Sequence, residues 1–444
     1  MPPNRASPNN PLIAIRGVHL DLKGLPPTFA RLLKLLDLFA AARLNCVLVE
    51  WEDAFPWNVD PRFRSPTAYS PQQIDDFHRR ARDLGLQIIP LVQTLGHMET
   101  PLRFEDRRAL REIPDRCDAI NPLAPGARDL VESMIDDVIR RSGPISHFHL
   151  GGDEHWTFGT HPDTRAYIKK HGKAALYLQF VEPLLDGLLS RGIRPIFWHD
   201  MMHDWDAASL ARLRKKADLM FWAYQGHPDS ARGVHHTKVF ERFATAGMKL
   251  WGACASKGAD SRGDAELPDR SARVANAVAW ADLAGRFDLQ GVVATAWSRY
   301  ATSRVQCEPI DGALDVLIQV ANVLHDGKPP ADEDVTALLR LFGECERFQT
   351  CRAALSRFSD AKKTAWQCIA QACQQAALEQ RDPDRGGSGV LAEMLRIARD
   401  QATSVENAAD DVRQALTGLV ESIWIEEFIA ERLGALSLAI EDRS

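Results

Sequence analysis

The chain has 444 residues, of which 45% are hydrophobic and 26% charged, and a formal charge of -6. These proportions suit a folded globular protein and exclude a mainly disordered, collagenous or disulfide-scaffold chain. The acidic balance offers no field for a polyanion, so nucleic acid is not an expected partner.

Residues 1–11 are polar and proline-rich and read as a disordered tail without the apolar core of a secretory signal. After it, short β-rich runs alternate with amphipathic helical segments, the pattern of parallel βαβ construction. The runs lie at 13–22, 45–51, 87–94, 146–154, 194–201, 218–224, 249–255 and 290–297. Segments 27–44 and 71–84 between them carry apolar residues at helical spacing, with Thr28 and Ser70 placed to cap. Eight runs and eight crossovers predict an α/β fold, a closed (β/α)8 TIM barrel over 12–326, followed by an α-helical C-terminal region over 327–444. A doubly wound open sheet is the structural rival, but neither GxGxxG nor a Walker loop is present. The C-terminal helices, interrupted at 382–389, either buttress the barrel, pair two copies as a homodimer, or bind a partner through Trp424 and Phe428. No apolar stretch approaches the roughly 20 residues that cross a bilayer, so no membrane partner is expected. Eight cysteines form no CxxC pair, which suits a reduced, cytoplasmic protein.

A barrel gathers the C-terminal ends of its strands at one mouth, where barrel enzymes keep their sites. The sharpest feature there is His147-Phe148-His149-Leu150-Gly151-Gly152-Asp153-Glu154. Strand alternation puts Asp153 on one face and Glu154 on the other unless the chain turns, and two glycines permit the turn. Adjacent carboxylates in one cavity would separate in pKa, which suits a general acid beside a charged orienting group. The plainer reading is an acidic pair that caps the next helix. Trp51, Trp57, Trp156, Trp198, Trp222, Trp251 and Trp297 all fall at or just past predicted strands, and indole faces stack on the C–H faces of sugars. The His147-x-His149 pair raises metal hydrolysis, with His97, His199 and Asp200 as further ligands, but no HExxH or CxxC accompanies it. Ser298 lacks a GxSxG elbow, so nucleophilic catalysis has little support.

The stretch from His149 to Glu154 resembles the signature of glycoside hydrolase family 20, the β-N-acetylhexosaminidases. The resemblance extends in order through Val18 to Gly24, Glu52 to Pro56, Pro90 to Glu99, Trp198 to Met201, Trp222 to Tyr224, Trp297 to Tyr300 and Cys307-Glu308. It covers roughly Arg16 to Leu324 and favours the subgroup without a separate α/β domain before the barrel. It implies a retaining exo-hydrolysis of terminal β-linked N-acetylgalactosamine or N-acetylglucosamine, on an amino-sugar glycan or glycoside, with no cofactor and no metal. The substrate's own 2-acetamido oxygen would attack the anomeric carbon; the family is an exception to the usual enzyme nucleophile.

By that resemblance Glu154 protonates the leaving oxygen and then activates water, Asp153 holds the acetamido N–H, and Tyr224 bonds its carbonyl. Trp198, Trp222 and Trp297 wall the N-acetyl pocket, Arg16 holds sugar hydroxyls, Glu308 contacts the far edge of the ring, and His97 with Asp53 behind it forms a relay to the acid. Glu52-Asp53 stands where the family has two aspartates, and Lys23 where arginine is frequent. The alternatives are a catalytically silent amino-sugar-binding barrel and a metal-dependent hydrolase.

Overall fold

The computed structural model describes residues 11–260, 266–302, 304–382 and 389–441. Residues 1–10 of the expected tail and 383–388 of the expected interruption lie outside them. Eight parallel strands pair in chain order and β8 returns to β1, closing the barrel. They are β1 (Ile15–Asp21), β2 (Cys46–Glu50), β3 (Gln87–Leu91), β4 (His147–His149), β5 (Arg194–Trp198), β6 (Asp218–Trp222), β7 (Leu250–Lys257) and β8 (Leu289–Ala296). Every predicted run overlaps one; β7 extends two residues past its run, β8 begins one residue before its own, and β4 is much shorter than its run.

Helices α1 (Phe29–Ala41), α2 (Pro71–Asp83), the one-turn α3 (Glu99–Leu102), α4 (Ala127–Ser142), α5 (Pro162–His171), α6 (Lys173–Leu189), α7 (Ala207–Leu213), α8 (Thr237–Thr245) and α9 (Arg270–Arg286) join successive strands, and α10 (Leu314–Asp326) follows β8. The predicted caps set two of the starts: Thr28 accepts the Arg31 N–H, and Ser70 with Gln73 forms a capping box.

Alternation along the strands makes two apolar layers. Leu48, Ile89, Ile196, Met220, Trp251 and Val293 fill the inside of the barrel, while Val47, Val49, Phe148, Phe197 and Phe221 pack outward under the helices.

Beyond Gly327, α11 (Asp332–Leu341), α12 (Cys345–Arg381), α13 (Val390–Leu416) and α14 (Ser422–Glu441) form a helical layer with its own apolar cluster around Leu355, Phe358, Val405, Val412 and Phe428. This layer grips the loop after β8. Arg299 bonds Glu427 at 2.8 Å and Glu431 at 3.1 Å, Glu431 accepts the Gln306 N–H at 2.8 Å, and Arg432 donates to the Gln306 carbonyl at 2.9 Å. Trp424 donates to the Thr67 hydroxyl at 2.6 Å and Phe428 is fully buried, so both are spent inside the chain rather than kept for a partner. Among the described residues no helix is long and apolar enough to cross a membrane.

Candidate active site

The loop after β3 and the loop after β4 touch because three glycines let them. Gly151 and Gly152 take φ of 57° and 76°, which ends β4 and swings the acidic pair over the barrel mouth. A Cβ on Gly151 would lie 1.9 Å from the Gln93 amide oxygen, and one on Gly152 2.3 Å from the Tyr177 hydroxyl. Gly96 has an ordinary φ, but a Cβ there would lie 2.1 Å from the Asp153 carbonyl oxygen, so this glycine brings the neighbouring His97 against the pair. Left-handed backbone at non-glycine residues costs of order 1–3 kcal/mol each and persists where surroundings impose it. Among the described residues Glu52, His97 and Glu154 adopt it at the mouth, with φ of 47°, 53° and 49°.

Asp153 and Glu154 line one cavity of about 580 Å³ together with His97, Trp198, Trp222, Tyr224 and Trp297. The His97 Nε2 stands 3.5 Å from a carboxylate oxygen of each acid. Burial opposes charge on His97, but Asp153, Glu154 and Glu99 hold its pKa well above the ordinary histidine value. Burial, countered by His97 and reinforced by Glu154, raises that of Asp153. Asp153 Oδ1 is buried without a protein donor. An acceptor in that condition is costly unless something else bonds it. Tyr224 stacks on Trp222 with ring centroids 5.2 Å apart, and burial pushes its hydroxyl far above its ordinary range, keeping it neutral and able to donate.

Two supports were not assigned these roles from the sequence. Asp200 accepts the Glu154 backbone N–H at 2.9 Å and the Trp222 indole N–H at 3.3 Å, fixing the acid's backbone and one wall together. Burial and the charge of Asp153 push Asp200 up to about 7. Tyr177, from α6, donates its hydroxyl to the Gly152 carbonyl at 3.1 Å. Asp200 was visible as a polar residue at the end of β5, but nothing in its spacing indicated a backbone partner; Tyr177 lay in an apolar helix stripe.

Three expected site residues do not take their expected places. Arg16 is the second residue of β1, at the opposite end of the barrel, where its guanidinium donates to the carbonyls of Ile13, Ala14 and Arg43 at 2.7–3.0 Å. It therefore cannot hold a sugar in this cavity. Asp53 is buried at the mouth, with burial pushing it up to about 6, but Arg103 and Arg299 are the cations that reach it. The carboxylate that adds to the pair around His97 is Glu99. Glu308 does not line the cavity; it accepts the Gly258 N–H at 2.6 Å and so braces a lining residue from behind. Lys23 is buried between Asp21 at 2.9 Å and Glu50 at 3.0 Å, and Asp21 accepts the N–H groups of Ser298 and Arg299. This buried network ties the ends of β1 and β2 to the segment that carries Trp297.

The tryptophans divide likewise. Trp198, Trp222 and Trp297 wall the cavity, whereas Trp51 and Trp57 pack under the helices, Trp251 lies low in the barrel against His147, and Trp156 stands on the rim. His149 is buried against Trp198. Among the described residues no three His, Cys, Asp or Glu side chains are grouped as a metal site.

The profile of the glycosyl hydrolase family 20 catalytic domain matches residues 14–239. Hexosaminidase D from Bos taurus is 33% identical over 324 residues, 70% of this chain and 92% of that protein. Hexosaminidase D from Homo sapiens is 32% identical over 336 residues, 73% of this chain and 68% of that one. Among solved structures, a β-N-acetylhexosaminidase from Bacteroides fragilis superimposes with a TM-score of 0.56 at 16% identity, covering 75% of this chain and 71% of that one. A chitobiase from Flavobacterium johnsoniae gives 0.57 at 16% identity, covering 98% and 73%. These two likenesses concern the fold.

Proposed function

This chain belongs to glycosyl hydrolase family 20, and we propose that it is a retaining exo-β-N-acetylhexosaminidase that releases terminal β-linked N-acetylgalactosamine or N-acetylglucosamine by way of the substrate's acetamido group. The observation that carries the reading is the buried, donor-less Oδ1 of Asp153 beside Glu154 in a cavity walled by three tryptophans. That oxygen suits an amide N–H, and the indole faces suit a methyl group and a sugar ring.

In the first step the acetamido oxygen bonds to the anomeric carbon as the glycosidic C–O bond breaks, and Glu154 gives its proton to the departing oxygen. The product is an oxazolinium ion. Asp153 accepts the acetamido N–H and offsets the positive charge growing there, while the Tyr224 hydroxyl donates to the acetamido oxygen and orients it. In the second step water bonds to the anomeric carbon, loses a proton to Glu154, and the ring reopens with the β configuration retained. Positioned acid catalysis contributes about 10²–10⁴-fold. Pre-orienting an internal nucleophile adds up to roughly 7–11 kcal/mol. Protonated His97, facing both carboxylates, keeps the pair at one separation and limits their repulsion. A reducing compartment such as the cytoplasm suits the eight free cysteines.

The test is hydrolysis of aryl N-acetyl-β-hexosaminides, with the galacto and gluco epimers compared by kcat/KM and the first-formed anomer read by NMR. The proposal expects turnover that survives chelation, a β product, and strong inhibition by a thiazoline mimic of the cyclic intermediate. An α product, or no inhibition, would contradict it.

A further inference from the structure

Tyr224 stands two residues past β6, where the chain has already left the sheet. The last bond from this strand end to β7 runs from the Ala223 N–H to the Ala253 carbonyl at 3.3 Å. In a continued parallel ladder the Ala255 N–H would next donate to the Ala223 carbonyl. Asn276 of α9 takes that place. Its Oδ1 accepts the Ala255 N–H at 3.3 Å, and its Nδ2 donates to the carbonyls of Ala223 and Gly226 at 3.0 and 2.9 Å. A side chain thus replaces a ladder bond at the root of the loop that carries Tyr224.

Arg273 and Trp280, one turn before Asn276 and one turn after it, share its face of the helix. Arg273 donates to the Tyr224 carbonyl at 2.8 Å, to Gln225 Oε1 at 3.0 Å and to Asp260 at 3.0 Å, and Trp280 donates to the Ala223 carbonyl at 3.0 Å. All three side chains are fully buried, and Gly252 of β7 makes the room, since a Cβ there would lie 2.5 Å from the Trp280 ring. Among the described residues no backbone N–H reaches the carbonyls of Ala223, Tyr224 or Gly226, so the backbone behind Tyr224 is bonded through α9. Closing a barrel does not require this. An apolar stripe would seal the helix against the sheet at lower cost, because a guanidinium taken out of water is expensive unless its donors are matched, and Arg273 Nε has no protein partner among the described residues. What the buried cation does fix is the backbone of Tyr224, whose hydroxyl has to meet the same acetamido group that Asp153 holds from a different loop.

We propose that Arg273 is a positioning residue for the reaction: with Asn276 and Trp280 it holds the loop after β6 so that the Tyr224 hydroxyl stays aimed at the acetamido oxygen. Through Asp260, and through Gln225, whose amide donates to the Ala259 carbonyl, it also ties that loop to the one after β7, which supplies Gly258 and Ala259 to the cavity. The inference rests on the hydrolytic reading above. It is tested by a double-mutant cycle in kcat/KM on an aryl N-acetyl-β-hexosaminide, pairing Arg273→Lys with Tyr224→Phe. Lysine keeps a cation for Asp260 but lacks the planar fork that spans the Tyr224 carbonyl and Gln225. Arg273→Lys should lose on the order of tenfold when Tyr224 is present and stay within about twofold in the Tyr224→Phe background, where no hydroxyl is left to misplace. Asn276→Ala, which strips the same loop without touching the buried charge, should repeat the pattern and decides the matter if Arg273→Lys does not fold. An arginine that serves stability alone would cost the same factor in both backgrounds. Equal losses, no loss with Tyr224 present, or a Tyr224→Phe variant as active as wild type would overturn the positioning role and leave hydrolysis itself intact. A wild-type protein that cleaves neither the galacto nor the gluco substrate would overturn the hydrolytic reading and this inference with it.

Discussion

The two ends of the barrel both bury charge, and they treat it oppositely. At the end where the strands begin, Arg16 gives its donors to three backbone carbonyls, and Arg194 bonds Asp218 at 2.7 Å while Asp218 also accepts the Trp251 indole N–H at 3.2 Å. At the mouth, Asp153 Oδ1, Asp53 Oδ1, the Trp198 indole N–H and the Tyr300 hydroxyl are buried without protein partners. Among the described residues, three of the four left-handed non-glycine residues sit at that end as well, and the fourth, Arg43, lies at the other. The closed end completes its hydrogen bonds within the chain, as a stabilising floor does. The mouth leaves bonds open and holds strain, the condition of a site whose missing partner is the substrate.

That contrast can be broken by substitution at either end. Glu154→Gln should cut kcat/KM by about 10²–10⁴-fold on a sugar leaving group, with the melting temperature unchanged. Asp153→Asn should lose nearly as much, since the charge opposing the oxazolinium disappears. Unfolding of either variant would mean that the pair serves stability.

His97→Gln should cost roughly tenfold or more in kcat/KM and also change how stability depends on pH. The folded pKa of His97 is raised, so its stabilisation is complete below the unfolded value of about 6.5 and is lost as pH rises through the higher folded value. The melting advantage of wild type over the variant should therefore be full near pH 6 and shrink in alkali; a constant difference would remove the ion cluster.

At the other end, Arg16→Met should lower stability by ~1–3 kcal/mol in a denaturant titration, because buried carbonyls lose their donor, while kcat/KM stays within about twofold. A selective rise in KM would return Arg16 to the sugar. The smallest expected effect belongs to Glu431→Gln, which loosens Arg299 and Gln306 beneath Trp297 and should raise KM a few-fold at constant kcat.

The barrel was legible because alternation and helical spacing are local, and eight runs in order leave few ways to close. The acidic pair was legible too, since consecutive glycines before it mark a turn that only glycine makes cheaply. Strand direction already argued against Arg16: it lies five residues before Asp21, about 16 Å from the mouth at a strand's rise per residue. Asp200 and Tyr177 were illegible in these roles because their partners are backbone atoms of another loop, set only when the loops pack. Spacing alone put seven tryptophans near strand ends without saying which face inward; the resemblance picked out Trp198, Trp222 and Trp297, and these three line the cavity.

The central claim is that an amide on the substrate does the work of a protein nucleophile, and it is tested most directly by kcat/KM across aryl substrates whose N-acetyl group carries zero, one, two or three fluorines. Each fluorine makes the amide oxygen a poorer nucleophile while changing the substrate's size little. The mechanism above requires a steep, progressive fall along the series. A flat profile would mean that the anomeric carbon is attacked by something else.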